Sequence, residues 1–314
     1  HLRCDAAAGA SVGMTLAHLA ALMDGTAAPG SPIREHFVGQ MLTHTVLHEV
    51  GHALGLTHNF AASTATPMDK LNDTAWSRDR GMMASVMDYA TPNVSRDRSK
   101  QGDYYGSVPG TADLWMIRYG YTPSGLADVD ADHEFAEKIA AESNDPGHVY
   151  LPDPDTYGPF ALDPRSNIWD LGDDPLGFAK ERAGWVSDLW KDEKFEERVL
   201  GPGGEYPALR RAMDGLLEQY GIALGLAVKY VGGQYHSRTH RGQEGFVEPL
   251  RLVPAAKQRE ALDFVAREGF AADAFDVSPK LLNRLAPDRW FHWGMSDNFG
   301  MSTGPRLNYN LNEK

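Results

Sequence analysis

The run HEVGHALGLTHNF, residues 48–60, constrains this chain more than any other stretch. Apolar residues at spacings of three and four from Ile33 to Leu54 (Phe37, Val38, Met41, Leu42, Val46, Val50, Ala53) predict a helix with one broad apolar face. On that helix His48 and His52 stand one turn apart and share a face. Glu49 points about 100° away, where it flanks the shared face without joining it. Gly55 is placed to stop the helix, because glycine enters the left-handed region without a Cβ penalty. The chain can then double back and bring His58 to the two helical imidazoles. Three neutral histidines leave one tetrahedral position open, the arrangement of a catalytic rather than a structural zinc site. The plain alternative is a histidine-rich helix whose rings bond to carbonyls. At this chain's own frequencies, with 12 His and 32 Gly in 314 residues, all five matches coincide by chance on the order of one in ten thousand, which argues against it.

The rest of the composition mainly excludes. A net charge of -13 speaks against nucleic acid or an anionic membrane as the main partner. No apolar run approaches the roughly 20 residues needed to span a bilayer. Cys4 is the single cysteine, so no intrachain disulfide forms. The opening HLRCDAAAGA has neither an initiator Met nor a signal-peptide pattern and reads as a piece of something longer.

Period-two strands are almost absent, and the expected fold is mainly α. Helices are expected over 12–23, 68–76 and 111–119, the last closed by Gly120. An irregular Asp/Pro/Gly-rich connection follows from 144 to 177, long enough to suggest a functional or surface-wrapping role. Amphipathic segments then cover 178–200, 205–233, 253–270 and 278–286. This divides the chain into a zinc-binding segment (1–143), the connection (144–177) and a helical C-terminal region (178–314).

The motif HExxHxxGxxH, met by His48, Glu49, His52, Gly55 and His58, resembles that of the metzincin clan of zinc metallopeptidases. SVMDY, residues 85–89, resembles the clan's methionine turn, with Met87 as its methionine. Tyr89 stands where two branches of the clan carry a tyrosine, which implies contact with the zinc or donation to the oxyanion. Asp113, Ile117, Tyr119 and Gly120 are similar to the clan's next helix. SVMDYATPN, KQGDYYG, LWMIRYGY, WDLGDDPL and QYGIALGLAVKYVGG resemble a narrower group, the large bacterial zinc-dependent metalloproteases with domains of unknown function. The resemblance implies one catalytic Zn2+ on His48, His52 and His58, with Glu49 as general base and Tyr89 as a second catalytic residue. It further implies peptide or protein substrates and a secreted or periplasmic location. It also implies a twisted sheet before the active-site helix. The residues ahead of that helix read helical, so the sheet is expected to be missing or minimal here, and an upstream domain or chain to complete the catalytic fold. Two other functions fit the same residues: a non-catalytic binding module, and a zinc hydrolase of non-peptide amides.

The remaining candidates are weaker. The acidic runs DVDADHE (128–134) and WDLGDD (169–174) offer the oxygen ligands that Ca2+ takes, but in no known loop spacing. His44, one turn before His48 on the same face, reads as a plain core or surface histidine, with support of a metal ligand as the alternative. His236 and His240 are four apart, but no acidic neighbour is evident in the sequence around them.

Overall fold

The computed structural model describes residues 6–31, 35–158, 161–242 and 245–286. The start of the expected helix at Ile33 and the tail of the C-terminal region, 287–314, lie outside them. The elements in chain order are α1 (Ala6–Met23), α2 (Glu35–Ala53), α3 (Thr74–Arg80), α4 (Thr111–Tyr121), α5 (Val129–Ala140), α6 (Asp153–Thr156), α7 (Pro175–Lys191), α8 (Phe195–Leu200), α9 (Tyr206–Val228), α10 (Ala255–Val265) and α11 (Pro279–Leu282). Two three-residue strands, β1 (Gln234–His236) and β2 (Leu250–Leu252), pair antiparallel. The fold is mainly α, as the sequence indicates.

Helix α9 is the hub of the C-terminal half. Leu209, Met213, Leu216, Tyr220, Ala223 and Ala227 form its buried stripe. Against it α7 turns Leu176, Ala179, Ala183, Val186 and Trp190, also all buried. Trp190 meets Tyr220 with ring centroids 5.1 Å apart. The alanines let the two backbones approach, and the large residues fill the space on either side. Helix α1 also packs on α8 and α9, so this N-terminal helix shares the core of the C-terminal ones.

Several boundaries differ from expectation, each for a local reason. The 178–200 segment is two helices, because the chain turns at Asp192, whose carboxylate accepts from Lys194 N–H. The 68–76 segment is a short 3-10 turn followed by α3, capped by Asp73 accepting from Trp76 N–H. Gly120 does not close α4. The helix runs through it to Tyr121 and stops at Thr122, the residue before Pro123, which disfavours helix.

The larger correction concerns α2. Its buried residues are Phe37, His44, His48 and Gly51. Leu42, Val46, Val50 and Leu54, part of the expected apolar face, are 44–59% exposed and form one stripe at intervals of four. The histidine face turns inward, so the apolar face beyond Glu49 is left on the surface.

The end of α2 is a Schellman stop. Gly55 N–H donates to His52 O and Leu56 N–H to Gly51 O, with Gly55 at φ 89°. No neighbouring atom lies within 4 Å of a Cβ added at Gly55, so Gly55→Ala is expected to cost only the left-handed penalty, about 1–2 kcal/mol. Gly120 has ordinary helical backbone and similar free space, so Gly120→Ala is expected to stabilise by about 0.5–1 kcal/mol. Urea unfolding of the two variants should move in opposite directions.

Candidate metal centre

His48 and His52 project from the last two turns of α2, with ring centroids 4.8 Å apart and planes nearly perpendicular. After the Schellman stop the chain returns, and the His58 ring lies 5.4 Å from His48 and 4.8 Å from His52. One ring nitrogen from each residue falls within 4.8 Å of the other two. The Nε2 atoms of His52 and His58 are 3.2 Å apart.

What orients the rings is on their other side. His48 Nδ1 donates to Val86 O at 2.7 Å, and His52 Nδ1 donates to Leu56 O at 3.0 Å. A carbonyl only accepts, so in both rings the proton is fixed on Nδ1 and the lone pair on Nε2. His58 Nδ1 meets both oxygens of Asp153, at 3.0 and 3.1 Å. Burial lowers the pKa of His48; the Val86 carbonyl offsets part of this, and the neighbouring imidazoles add to the lowering.

Each acceptor is itself held. The Val86 peptide is fixed by Asp113 in the first turn of α4, whose carboxylate accepts from Val86 N–H (2.8 Å), Gly110 N–H (2.8 Å) and Ser85 Oγ (2.6 Å). Burial raises the Asp113 pKa, and these three donors pull it back. Leu56 O follows the helix stop directly. Asp153 opens α6, within the 144–177 connection, and that connection is pinned beside the site. The buried Asn59 amide donates to Val149 O and accepts from Leu151 N–H, Phe60 N–H donates to Leu151 O, and Asn167 N–H donates to Phe60 O.

Beneath the rings runs the turn 85–89. Met87 is fully buried against α2 at Gly51, where an added Cβ would stand 2.3 Å from its Sδ. Tyr89 is buried, with its ring 4.8 Å from His58 and 5.6 Å from His48. Glu49 is exposed next to the cluster, and its charge raises the His48 pKa slightly.

A family model described as Met-zincin matches residues 30–308. The chain belongs to the Met-zincin family. No curated protein and no solved structure matches it.

Membership in the Met-zincin family implies zinc, and the donor set fits that ion. Two nitrogens at about 2.0–2.1 Å from one ion at a tetrahedral angle stand about 3.3 Å apart. The His52–His58 separation is 3.2 Å. With Nδ1 as the donor in each ring, those two Nε2 atoms would turn lone pairs toward each other, which a cation between them relieves.

The other histidines of this Met-zincin have different surroundings. His44 is buried, stacked on Tyr105 at 5.8 Å, and its pKa is pushed down to about 4 by burial and by the nearby His48. It is a packed neutral histidine. His236 does have acidic neighbours, contrary to the sequence reading. Its Nδ1 lies 3.4 Å from Asp155 Oδ1 and its N–H donates to Asp163. Glu142, Asp145 and His148 form a second, more exposed cluster in which Glu142 is paired with Arg118.

Sequence reasoning did not find Asp153, because nothing in DPDTYG distinguishes it from the other acids of the connection. Asp153→Ala is expected to lower zinc affinity by about 10–100-fold with the fold retained. Competition against a chromogenic chelator checks this, and Asp153→Asn should recover part of the loss.

Proposed function

We propose that the chain is a zinc-dependent metalloendopeptidase with His48, His52 and His58 as metal ligands, Glu49 as general base and Tyr89 as oxyanion donor. The observation that carries the reading is the convergence of three imidazoles, each anchored through Nδ1. Family membership supports it.

When bound, zinc lowers the pKa of water toward about 7 and polarises a carbonyl oxygen. The chain's own residues do the rest. Glu49, exposed to solvent beside the ligand face, accepts the proton of the attacking water and passes it to the leaving amine. Tyr89, packed between His58 and Phe60, donates its hydroxyl hydrogen to the carbonyl oxygen as negative charge builds there. The Val86, Leu56 and Asp153 oxygens keep the three ligands in one tautomer and one orientation. Met87 under Gly51 gives the ligand helix its floor, the part played by the methionine turn.

The substrate is a peptide or protein, reached outside the cytosol. Among the described residues no helix is long and apolar enough to cross a membrane. The exposed stripe Leu42–Val46–Val50–Leu54 supports an apolar partner on the far side of α2, an upstream domain or separate chain that completes the cleft.

The test is metal analysis with peptide-library cleavage on wild type, Glu49→Gln and Tyr89→Phe. Wild type should carry one zinc and cleave. Glu49→Gln should keep the zinc and lose cleavage. Tyr89→Phe should keep the zinc and lose about 10²–10³ in kcat, the usual loss for one oxyanion donor. Bound zinc without Glu49-dependent cleavage makes the chain a binding module. Glu49-dependent hydrolysis confined to non-peptide amides makes it an amidohydrolase.

A further inference from the structure

Behind the turn that carries Met87 and Tyr89 lies a second polar group that the zinc reading does not use. Asp88, between those two residues, is 1% exposed, and so is Asp170 of the connection. Ser63 and Asn167, 0% and 1% exposed, complete the group. The four are directly linked. Asp88 Oδ2 accepts from Ser63 N–H at 3.0 Å, and Asp170 Oδ2 faces the Asn167 amide nitrogen at 3.3 Å. The Ser63 hydroxyl lies close enough to Asp170 to favour its ionised form.

Asp88 Oδ1, Asp170 Oδ1, Asn167 Oδ1 and Ser63 Oγ are fully buried and make no close hydrogen bond within the chain, the Ser63 hydroxyl reaching Asp170 only as a loose contact. The Asn167 nitrogen donates to Pro164 O at 2.8 Å, which leaves its Oδ1 as an acceptor. Burial and mutual repulsion push the Asp88 carboxyl well above the usual carboxylate range, and burial raises Asp170. The nearby Lys229 donates to the carbonyls of Thr156 and Ser166, and its charge offsets only part of the burial of Asp170. Asp163 and Asp155, the other buried acids described in this segment, are already paired with Arg165 at 2.7 Å and with Arg238 at 2.6 Å.

Buried oxygens left this way are costly, and two neighbouring carboxylates doubly so. A donor set of two carboxylates, one amide carbonyl and one hydroxyl, with no nitrogen or sulfur, suits a hard cation and not zinc. The geometry points to a structural divalent-cation site of the calcium type, formed by Asp88, Asp170, Asn167 and Ser63. Its two negative charges match one Ca2+, and backbone oxygens or water supply the remaining ligands of a six- to eight-oxygen shell. Of the two acidic runs that the sequence offered for calcium, DVDADHE is the exposed, capped start of α5, and WDLGDD supplies Asp170.

The site would clamp the connection to the turn beneath the histidines. Next to Asp170, Trp169 N–H donates to Tyr89 O at 3.0 Å. Trp169 is also the one non-glycine described residue at positive φ, 66°. A cation gripping residues 88 and 170 holds both strands of this junction and so fixes the backbone of Tyr89.

The test uses the zinc-loaded chain in chelator-free, calcium-depleted buffer, with Ca2+ itself as the probe. Elemental analysis after equilibrium dialysis should find one calcium per chain beside the zinc. Saturating Ca2+ should raise Tm by about 5 °C. Asp170→Asn should abolish both responses and melt higher than wild type without calcium, because it removes the repulsion on Asp88. Ser63→Ala, which keeps the backbone bond to Asp88, should fold and weaken calcium binding about tenfold. Asp128→Asn, at the exposed start of α5, should respond as wild type does. No calcium uptake by wild type, or an unchanged response in both Asp170→Asn and Ser63→Ala, overturns the proposal.

Discussion

The arrangement around the metal centre depends on one constraint: each imidazole must hold its proton on Nδ1, away from the point where the three rings meet. An oxygen that accepts and cannot donate enforces this for each ring. The Val86 carbonyl does so for His48, the Leu56 carbonyl for His52 and the Asp153 carboxylate for His58. A ring in the other tautomer would aim an N–H at the ion and be lost as a ligand.

Those three oxygens come from three different levels of structure. Leu56 is local, a direct product of the glycine stop two residues beyond α2. Val86 is brought by the turn 85–89 and steadied by Asp113 across a gap of 27 residues. Asp153 is the most distant, 95 residues from His58, and arrives on a connection that has little regular structure. That connection is tied down at both ends of its passage, by Asn59 and Phe60 near 149–151 and by Phe60 and Tyr89 near 167–169. On the far side Asp155 pairs with Arg238 at 2.6 Å, linking α6 to the segment just after β1. The irregular segment is therefore a strap, and the helical C-terminal region gives the strap something rigid to hold.

The clustering of the three histidines was legible in the sequence because it is local. Helical periodicity, one glycine and a fixed interval are enough to bring His48, His52 and His58 together. The mainly α character was legible for the same reason. The burial of α2 was not, because hydrophobic spacing cannot tell a face turned to the core from one left outside when a polar face must turn inward. Val46 and Val50 belong to the expected apolar face and lie exposed, while His44 is buried. Asp153 and Asp170 were illegible as partners of particular residues, since an Asp/Pro/Gly-rich run has no period and its pairings are made at long range. Gly120 misled because glycine inside a helix differs from glycine at its end only in backbone angle.

Zinc K-edge absorption spectroscopy on the zinc-loaded chain tests the central claim most directly. The expected first shell is three imidazole nitrogens at about 2.0–2.1 Å and one oxygen ligand, with the imidazole count falling by one in His58→Ala. A shell with fewer than three imidazoles, or one unchanged in His58→Ala, would contradict it.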